Sequence, residues 1–247
     1  MFKLKIRNFD REFAAASFLL SGGDIHLWLA FIQTFEARGE QLEALLSAEE
    51  TSRMERFHFP KDRIGFAVTH GILRMLIGRY LNFPPHLLTF QPGRYGKPEL
   101  YGNKPVEHFF FNLSHSCNLA AFAFSRSYPL GVDVEHIRDI GELNETANYC
   151  FHQKERAAFK ALPADKRLNR FFECWTCKEA FVKATGEGFS RSPDSFYFYG
   201  DNCRAKDIFC IKGAGINSAE WEILTFKPAA DYAGAVAFRK QDHVLQA

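Results

Sequence analysis

Apolar residues along the chain follow strand spacing in some stretches and helical spacing in others. Residues 24–29 are almost continuously apolar, which predicts a buried strand. Between residues 62 and 81, apolar side chains recur every three or four positions, which predicts a long helix that stops before Pro84 and Pro85. A shorter helical stretch from about residue 42 contains Ser47 and Glu50, which have the spacing of a helix start signal.

The middle of the chain reads as a pair of strands. Residues 108–113 and 119–124 are apolar, and the polar residues Ser114, His115 and Ser116 between them predict the turn of a hairpin. Residues 130–135 predict one more strand.

The second part combines helices with short strands. Helical spacing covers residues 154–162 and 170–185, and the strand-like segments that follow predict an antiparallel sheet. These segments are residues 196–199, 208–211, 221–226 and 234–238. The pattern predicts an α+β protein of two halves, residues 1–128 and 129–247.

Composition narrows the class of protein. Hydrophobic residues make up 47% of the chain and aromatic residues 15%, which is enough to build a compact core. The net charge of only +2 argues against a protein whose main partner is nucleic acid or an anionic membrane. No apolar run approaches the ~18 residues that a membrane span requires.

The first residues of the chain and the cysteines indicate the cellular compartment of the protein. Asp10 and Glu12 interrupt the basic, apolar opening, so we expect mature sequence rather than a signal peptide. Six scattered cysteines fit reduced thiols in the cytoplasm. Cys174 and Cys177 form a CxxC pair without a matching pair at zinc spacing, so we expect them to be structural.

The motif GVDVE contains a pair of carboxylates. On a strand, Asp133 and Glu135 point to the same face, ~6.6 Å apart along the backbone. Like charges held this close favour a cation between them, and Mg²⁺ prefers such oxygens together with phosphate oxygens and water. A solvated edge strand with its polar side chains outward is the alternative.

The motif WTCKEAFVK places Trp175, Glu179 and Lys183 at four-residue steps along one stripe of a helix. Gly186 stands where this helix would end. The alternative is an ordinary exposed Glu–Lys helix pair beside a core tryptophan.

Two further groups of residues could bind an anion. Ser114 and His115 lie at a strand end, where hydroxyl and imidazole groups can contact phosphate oxygens, although a turn histidine is often only solvated. Several cations lie near the start of the long helix or in the GKP turn, and they could clamp a phosphorylated ligand or form a solvated face. They are Arg53, Arg56, Lys61, Arg63 and Lys97.

Taken together and in order, RFHFPKDR, YGKP, FNLSHS, GVDVE and WTCKEAFVKATGEGF resemble the phosphopantetheinyl transferase superfamily, in particular its long, single-chain Sfp-like members. The similarity runs from about residue 47 to residue 199. It implies two α/β half-domains related by a pseudo-twofold axis, with coenzyme A in the cleft between them.

The resemblance also implies roles for single residues. Asp133, Glu135 and Glu179 would be the Mg²⁺ carboxylates, with Lys183 acting at the reacting phosphate. Since a carboxylate beside the attacking oxygen can take its proton, Glu179 is the candidate base, either directly or through a metal-bound water. The residues that would contact the phosphates of coenzyme A are Ser114, His115, Lys97, Arg53 and Arg56. Glu50 stands where similar proteins often carry a base and His70 where many carry arginine, so the clamp for the 3′-phosphate departs from the family pattern.

The implied reaction is transfer of 4′-phosphopantetheine from coenzyme A to a serine of an apo acyl or peptidyl carrier protein, by a cytoplasmic enzyme expected to be a monomer. Two alternatives stay open. An Asp-x-Glu strand with a helical Glu and Lys would also suit a metal-dependent phosphodiesterase or nuclease, although the nearly balanced charge argues against a polyanionic substrate. The other alternative is a non-catalytic module that binds a nucleotide or a carrier protein.

Overall fold

The strands form two main sheets, one before and one after residue 128, in the computed structural model, which describes residues 2–93, 96–102, 108–188, 191–199 and 208–240. The strands are β1 (Lys3–Asn8), β2 (Asp24–Phe31), β3 (Thr89–Pro92), β4 (Pro98–Tyr101), β5 (Phe110–Ser116), β6 (Leu119–Ser125), β7 (Leu130–His136), β8 (Phe196–Tyr199), β9 (Ile208–Gly213), β10 (Trp221–Phe226) and β11 (Tyr232–Arg239). The α-helices are α1 (Phe9–Glu12), α2 (Gly39–Glu43), α3 (Ala48–Glu55), α4 (Pro60–Leu81), α5 (Leu143–Cys150), α6 (Gln153–Lys160) and α7 (Ala164–Thr185).

The first sheet has the strand order β1-β2-β6-β5. Strand β1 is parallel to β2, whereas β6 pairs antiparallel with both β2 and β5. Alternate side chains of β2 and β6, such as Trp28 and Phe122, share a core with Ile72 and Leu76 of helix α4. Helix α4 therefore covers one face of this sheet.

The second sheet is antiparallel throughout and has the order β7-β11-β10-β9-β8. Helix α7 packs against β7 and β11, with Ala180 and Phe181 in their common core. A Cβ atom on Gly131 would lie 2.2 Å from the carbonyl oxygen of Ala180, so only glycine permits this close packing of strand and helix.

The two sheets also pack on each other. Leu27 of β2 and Leu119 of β6 share a core with Val132, Val134 and other side chains of the second sheet. Both faces of β2 and β6 are therefore buried, which explains why apolar residues predominate at successive positions of these strands. The two halves meet through an apolar contact as well as at the polar edge described below.

Several local predictions are confirmed. Ser47 and Glu50 form a capping box at the start of α3, with hydrogen bonds of 2.9 and 3.3 Å. Helix α7 ends at Gly186, which has a positive φ of 70°. Cys174 and Cys177 are buried free thiols, and burial raises the pKa of Cys174 to about 11, as expected for structural residues.

The predicted hairpin exists, but its turn was misplaced. Ser114, His115 and Ser116 are the last residues of β5, and the turn consists of Cys117, with a φ of 50°, and Asn118. The prediction was wrong because Ser114 and Ser116 are buried against strand β7 rather than exposed to solvent.

Among the described residues, no helix is long and apolar enough to cross a membrane.

Candidate active site

Asp133 lies at the junction of the two halves, where β5 of the first sheet runs beside β7 of the second. Its Oδ1 atom accepts hydrogen bonds from Ser114 Oγ at 2.8 Å and from Lys183 Nζ at 2.7 Å. Its Oδ2 atom is buried and has no hydrogen-bond partner among the described residues. Burial raises the pKa of Asp133, and the charge and hydrogen bonds of Lys183 and Ser114 oppose this rise.

Lys183 reaches this carboxylate from helix α7. Its Nζ atom also lies 3.0 Å from Ser114 Oγ and 3.3 Å from the carbonyl oxygen of Val132. The side chain keeps 28% of its surface exposed, so the ammonium group can also meet a ligand. Asp133 therefore has a cationic protein partner, and a bound cation is not the only way to balance its charge.

Glu179 lies one helical turn before Lys183 on α7 and is half-buried. Burial raises its pKa, the negative charges of Asp133 and Glu135 raise it further, and Lys183 opposes them. Glu135 accepts a hydrogen bond of 2.6 Å from Ser116 Oγ, and Arg138 approaches the same oxygen at 3.7 Å. Asp133 and Glu135 therefore both act electrostatically on Glu179.

The chemistry of these residues fits a divalent cation. Asp133 Oδ2 is a buried oxygen without a hydrogen-bond partner among the described residues, and the pKa of Glu179 is raised first by burial and then by the negative charge of Asp133, which a cation would offset. Within the described ranges, no three His, Cys, Asp or Glu side chains already surround a metal position. Mg²⁺ typically takes one or two carboxylates and completes its shell with phosphate and water, so a closed protein cage is not required.

His115 and Ser114 take different environments on β5. The His115 side chain is exposed at the cleft, yet desolvation by the surrounding protein, together with the positive charges of His70 and Lys183, lowers its pKa. Ser114 is buried, and its hydroxyl already contacts Asp133, Lys183 and the amide of Val134. His115 is thus the freer of the two to meet a phosphate.

Lys97 ties the two halves together. Its Nζ atom donates to the carbonyl oxygens of Leu130 at 2.8 Å and Lys183 at 3.0 Å. Burial lowers its pKa to about 8; the charge of Lys183 adds to this shift, while Glu99 opposes it. Two of the three ammonium protons therefore bond main-chain oxygens, one on β7 and one on α7, the helix that carries Glu179.

The predicted arginines lie farther along the first half. Arg53 and Arg56, at the end of α3, are exposed, and the guanidinium of Arg53 lies 5.7 Å from the centre of the Phe66 ring. Arg53 also lines a small pocket of about 120 Å³ together with Glu50 and His70.

Glu50 has a structural partner that the sequence did not reveal. Arg74 is fully buried and pairs with Glu50 at 2.6 Å, and His70 Nδ1 lies 3.3 Å from the other Glu50 oxygen. Burial alone would raise the pKa of Glu50, but the hydrogen bonds from His70 and Arg74 bring it down to about 2. Glu50 therefore stays ionised and fixes α3 to α4.

A larger groove of about 1310 Å³ opens near the C-terminal end of α7. Apolar side chains such as Leu100 and Phe111 dominate its walls, and Lys97 borders it. Asp133, Glu135 and Glu179 are absent from the residues that line it, so the carboxylate cluster lies outside this groove.

Sequence reasoning grouped residues 112–116 as one polar cluster at a strand end, but it missed that Asn112 and Ser116 face β7 together with Ser114. The available signal was the alternation of short polar residues at positions 112, 114 and 116, which is a strand pattern rather than a turn pattern.

The fold and the site define a two-part α+β enzyme whose carboxylates and lysine suit chemistry at phosphate. Residues 129–237 match the family model of the 4′-phosphopantetheinyl transferase superfamily, and residues 33–127 match that of the 4′-phosphopantetheinyl transferase N-terminal region.

Two relatives of known name give the same result. The chain is 37% identical over 172 residues to the 4′-phosphopantetheinyl transferase HetI of Nostoc sp., covering 70% of this chain and 73% of that protein. It is 29% identical over 161 residues to the 4′-phosphopantetheinyl transferase Sfp of Bacillus subtilis, covering 65% and 69%. The solved holo-[acyl-carrier-protein] synthase of Thermotoga maritima has a TM-score of 0.38 and 19% identity, covering 46% of this chain and 63% of that one. The chain belongs to the 4′-phosphopantetheinyl transferase superfamily.

Proposed function

We propose that this protein transfers the 4′-phosphopantetheine group of coenzyme A to a serine of an apo carrier protein, which gives holo carrier protein and 3′,5′-ADP. The observation that carries this function is that both halves of the chain match phosphopantetheinyl transferase models. Asp133, Glu179 and Lys183 form a cluster where these two halves meet. The nuclease and the binding-module alternatives have no comparable support.

The reaction forms one bond to phosphorus and breaks another. The serine hydroxyl attacks the phosphorus that carries the pantetheine arm, and the bond from this phosphorus to the oxygen of the ADP portion breaks. The serine loses its proton during the attack. Glu179 is our candidate for the group that takes it, because a half-buried carboxylate with a raised pKa is a stronger base than an ordinary one.

Lys183 acts at the leaving group in this proposal. Its ammonium group contacts Asp133, Ser114 and a main-chain oxygen, and it keeps an exposed surface toward the cleft. A phosphate oxygen that replaces one of these contacts would gain a charge-assisted hydrogen bond where negative charge develops. Asp133 holds the ammonium in place until then.

Mg²⁺ held by Asp133, Glu135 and Glu179 would neutralise the pyrophosphate and polarise its phosphorus as a Lewis acid. The buried Oδ2 atom of Asp133, which lacks a hydrogen-bond partner in the described part of the chain, supports this assignment.

Coenzyme A would be bound mainly by exposed imidazole and guanidinium groups on the first half. His115 and Arg53 have surface to offer to phosphate oxygens, and Arg56 lies near Arg53 on α3. Ser114 and Lys97 are already bonded to protein atoms, so they would shape the cleft as well as contact the ligand. We further propose a monomeric enzyme of the cytoplasm, where buried free thiols such as Cys150 and Cys174 would stay reduced.

Mass spectrometry of apo carrier proteins tests the function. The protein is incubated with coenzyme A, Mg²⁺ and an apo acyl or peptidyl carrier protein. We expect one serine to gain the phosphopantetheine group, and no gain when coenzyme A is omitted or that serine is replaced by alanine. Carrier proteins that stay unmodified, with cleavage of a DNA or phosphodiester substrate instead, would contradict the proposal.

A further inference from the structure

Three short polar side chains of β5 face the edge of β7. Asn112 Oδ1 accepts a hydrogen bond from the amide of Val132 at 2.8 Å. Ser114 Oγ accepts one from the amide of Val134 at 3.4 Å, and Ser116 Oγ accepts one from the amide of His136 at 3.1 Å. The donors and the acceptors both recur every second residue, so the two strands run alongside each other in fixed register.

These side-chain hydrogen bonds take the place of the main-chain hydrogen bonds that would join two neighbouring strands of one sheet. Strand β7 pairs along its whole length with β11, and alternate amides of a strand point to opposite edges. The amides at 132, 134 and 136 therefore share the edge toward β5, where buried amides without partners would be costly. Side chains of β5, rather than its backbone oxygens, accept the hydrogen bonds of these amides. The backbones of β5 and β7 therefore lie farther apart than paired strands of one sheet, which leaves room for a cleft between the halves.

Two of the three side chains also hold a carboxylate. A serine hydroxyl has one proton to donate, and Ser116 donates it to Glu135 Oε2 at 2.6 Å while it accepts from the His136 amide. Ser114 does the same for Asp133 at 2.8 Å. The main chain of β7 orients each hydroxyl, and each hydroxyl orients the carboxylate that comes one residue before the bonded amide.

Arg138 does not provide the same constraint. Its guanidinium lies 3.7 Å from Glu135 Oε2 and is 53% exposed, so water competes for it. Ser116 is buried and short, and it has little freedom to turn away.

We propose that Ser116 is a positioning residue for the transfer reaction: its hydroxyl fixes the Glu135 carboxylate in the direction in which Glu135 binds the catalytic metal ion. This inference rests on the proposed function, because it takes Glu135 to be a metal ligand in that reaction. Loss of a hydrogen bond that orients a metal ligand typically weakens metal affinity about 10- to 100-fold.

The test compares three variants of the full chain, with Mn²⁺ as a paramagnetic probe. Ser116→Ala removes the hydroxyl and Ser116→Thr keeps it. Ser125→Ala is the control, because Ser125 is also buried and its hydroxyl likewise accepts from main-chain amides, those of Ser127 and Tyr128, while no hydrogen bond joins it to a carboxylate of the described residues. Mn²⁺ affinity in the presence of coenzyme A is measured by electron paramagnetic resonance, and kcat and KM for coenzyme A are measured by pantetheine transfer.

We expect Ser116→Ala to bind Mn²⁺ about 10- to 100-fold more weakly and to lose kcat, with KM for coenzyme A nearly unchanged. Ser116→Thr should recover most of the affinity, and Ser125→Ala should bind Mn²⁺ as the wild type does. Wild-type Mn²⁺ affinity in Ser116→Ala, an equal loss in Ser125→Ala, or a wild-type protein that binds no Mn²⁺ overturns the inference. Weaker Mn²⁺ binding in Ser116→Ala, combined with a wild type that modifies no carrier protein, would uphold the inference and refute the proposed function.

Discussion

Lys183 Nζ lies 2.7 Å from Asp133 Oδ1, so an ion pair joins helix α7 to strand β7 at the centre of the cleft. The two residues are separated by 50 positions in the chain. The Asp133 side chain is 5% exposed and that of Lys183 is 28% exposed, so the pair is only partly screened by water. The contact places the proposed phosphate-binding lysine beside a proposed metal ligand before any substrate is bound.

Asp133→Asn tests what this pair contributes. The amide keeps the size of the side chain and loses its charge, so we expect transfer to fall by more than about 100-fold and the free energy of unfolding to fall by about 1–3 kcal/mol. Steady-state transfer and urea denaturation measure the two effects. Glu220→Gln, which removes the exposed ion pair with Arg239, is the control and should change neither. An Asp133→Asn protein with full activity would contradict the site.

Lys97 and His115 were both predicted to contact coenzyme A, and the structure separates their effects. Lys97→Met leaves the carbonyl oxygens of Leu130 and Lys183 without their donor, so we expect the free energy of unfolding to fall by about 1–3 kcal/mol. His115→Ala removes an exposed ring, so stability should stay the same while the Kd for coenzyme A rises about 10-fold or more. Calorimetric titration and urea denaturation of both variants check this contrast. A Lys97→Met protein of unchanged stability would show that these two bonds contribute nothing.

Gly131 controls the distance between β7 and α7. A Cβ atom there would lie 2.2 Å from the Ala180 carbonyl oxygen and 2.5 Å from the Ala184 amide nitrogen, so Gly131→Ala must push the helix outward. We expect it to lose about 2–3 kcal/mol of stability, and to lose transfer because Glu179 and Lys183 move with the helix. Gly65→Ala is the matched control, since no heavy atom lies within 4 Å of its added Cβ. The control should gain about 1 kcal/mol from helix propensity, and equal stability of the two variants in urea denaturation would refute the packing argument.

His26 makes stability depend on pH. Its ring is fully buried, and Nδ1 lies 2.7 Å from the hydroxyl of Tyr80, which also accepts from Trp28 Nε1 at 2.8 Å. Because indole can only donate, the Tyr80 oxygen accepts from Trp28, and the Tyr80 proton remains available to an unprotonated Nδ1 of neutral His26. Desolvation, aided by the charges of Arg7 and Lys5, lowers the pKa of His26 to about 4 from an ordinary value of 6.5.

The sign of the effect follows from that shift. The unfolded chain binds the proton more tightly than the folded one, so the stability from neutral His26 is complete above pH 6.5. It falls by about 1.4 kcal/mol per pH unit down to about pH 4 and then levels off. Urea denaturation from pH 7.5 to pH 4.5 measures the slope. His26→Gln should remove this part of the slope whatever its own stability, and an unchanged slope would contradict the assignment.

Much of the fold followed from local pattern, since strands β2 and β6 and helix α4 bury large apolar faces that are visible in the sequence. Strand β1 was missed because it is an edge strand in which Lys3, Lys5 and Arg7 alternate with other residues. The shared face of Asp133 and Glu135 was predictable from strand periodicity. Their serine partners and the pairing of Asp133 with Lys183 were not, because these contacts depend on how the two sheets meet.

Glu179 is the residue for which metal binding and base catalysis make different predictions. Glu179→Gln keeps the size and one oxygen of the side chain but loses the charge and nearly all of its basicity. If Glu179 takes the serine proton, the maximal transfer rate should fall about 10²- to 10⁴-fold, while binding of coenzyme A should suffer less.

A magnesium titration at saturating apo carrier protein separates the two roles. A variant that has only lost a metal ligand regains its rate at high Mg²⁺, because mass action offsets a weakened affinity, whereas missing proton transfer is not restored. The raised pKa of Glu179, caused by burial and then by the charges of Asp133 and Glu135, leads us to expect a rate that stays low at every Mg²⁺ concentration. Full recovery at high Mg²⁺ would refute the base and leave the metal site intact, and a variant as fast as the wild type throughout would refute both roles.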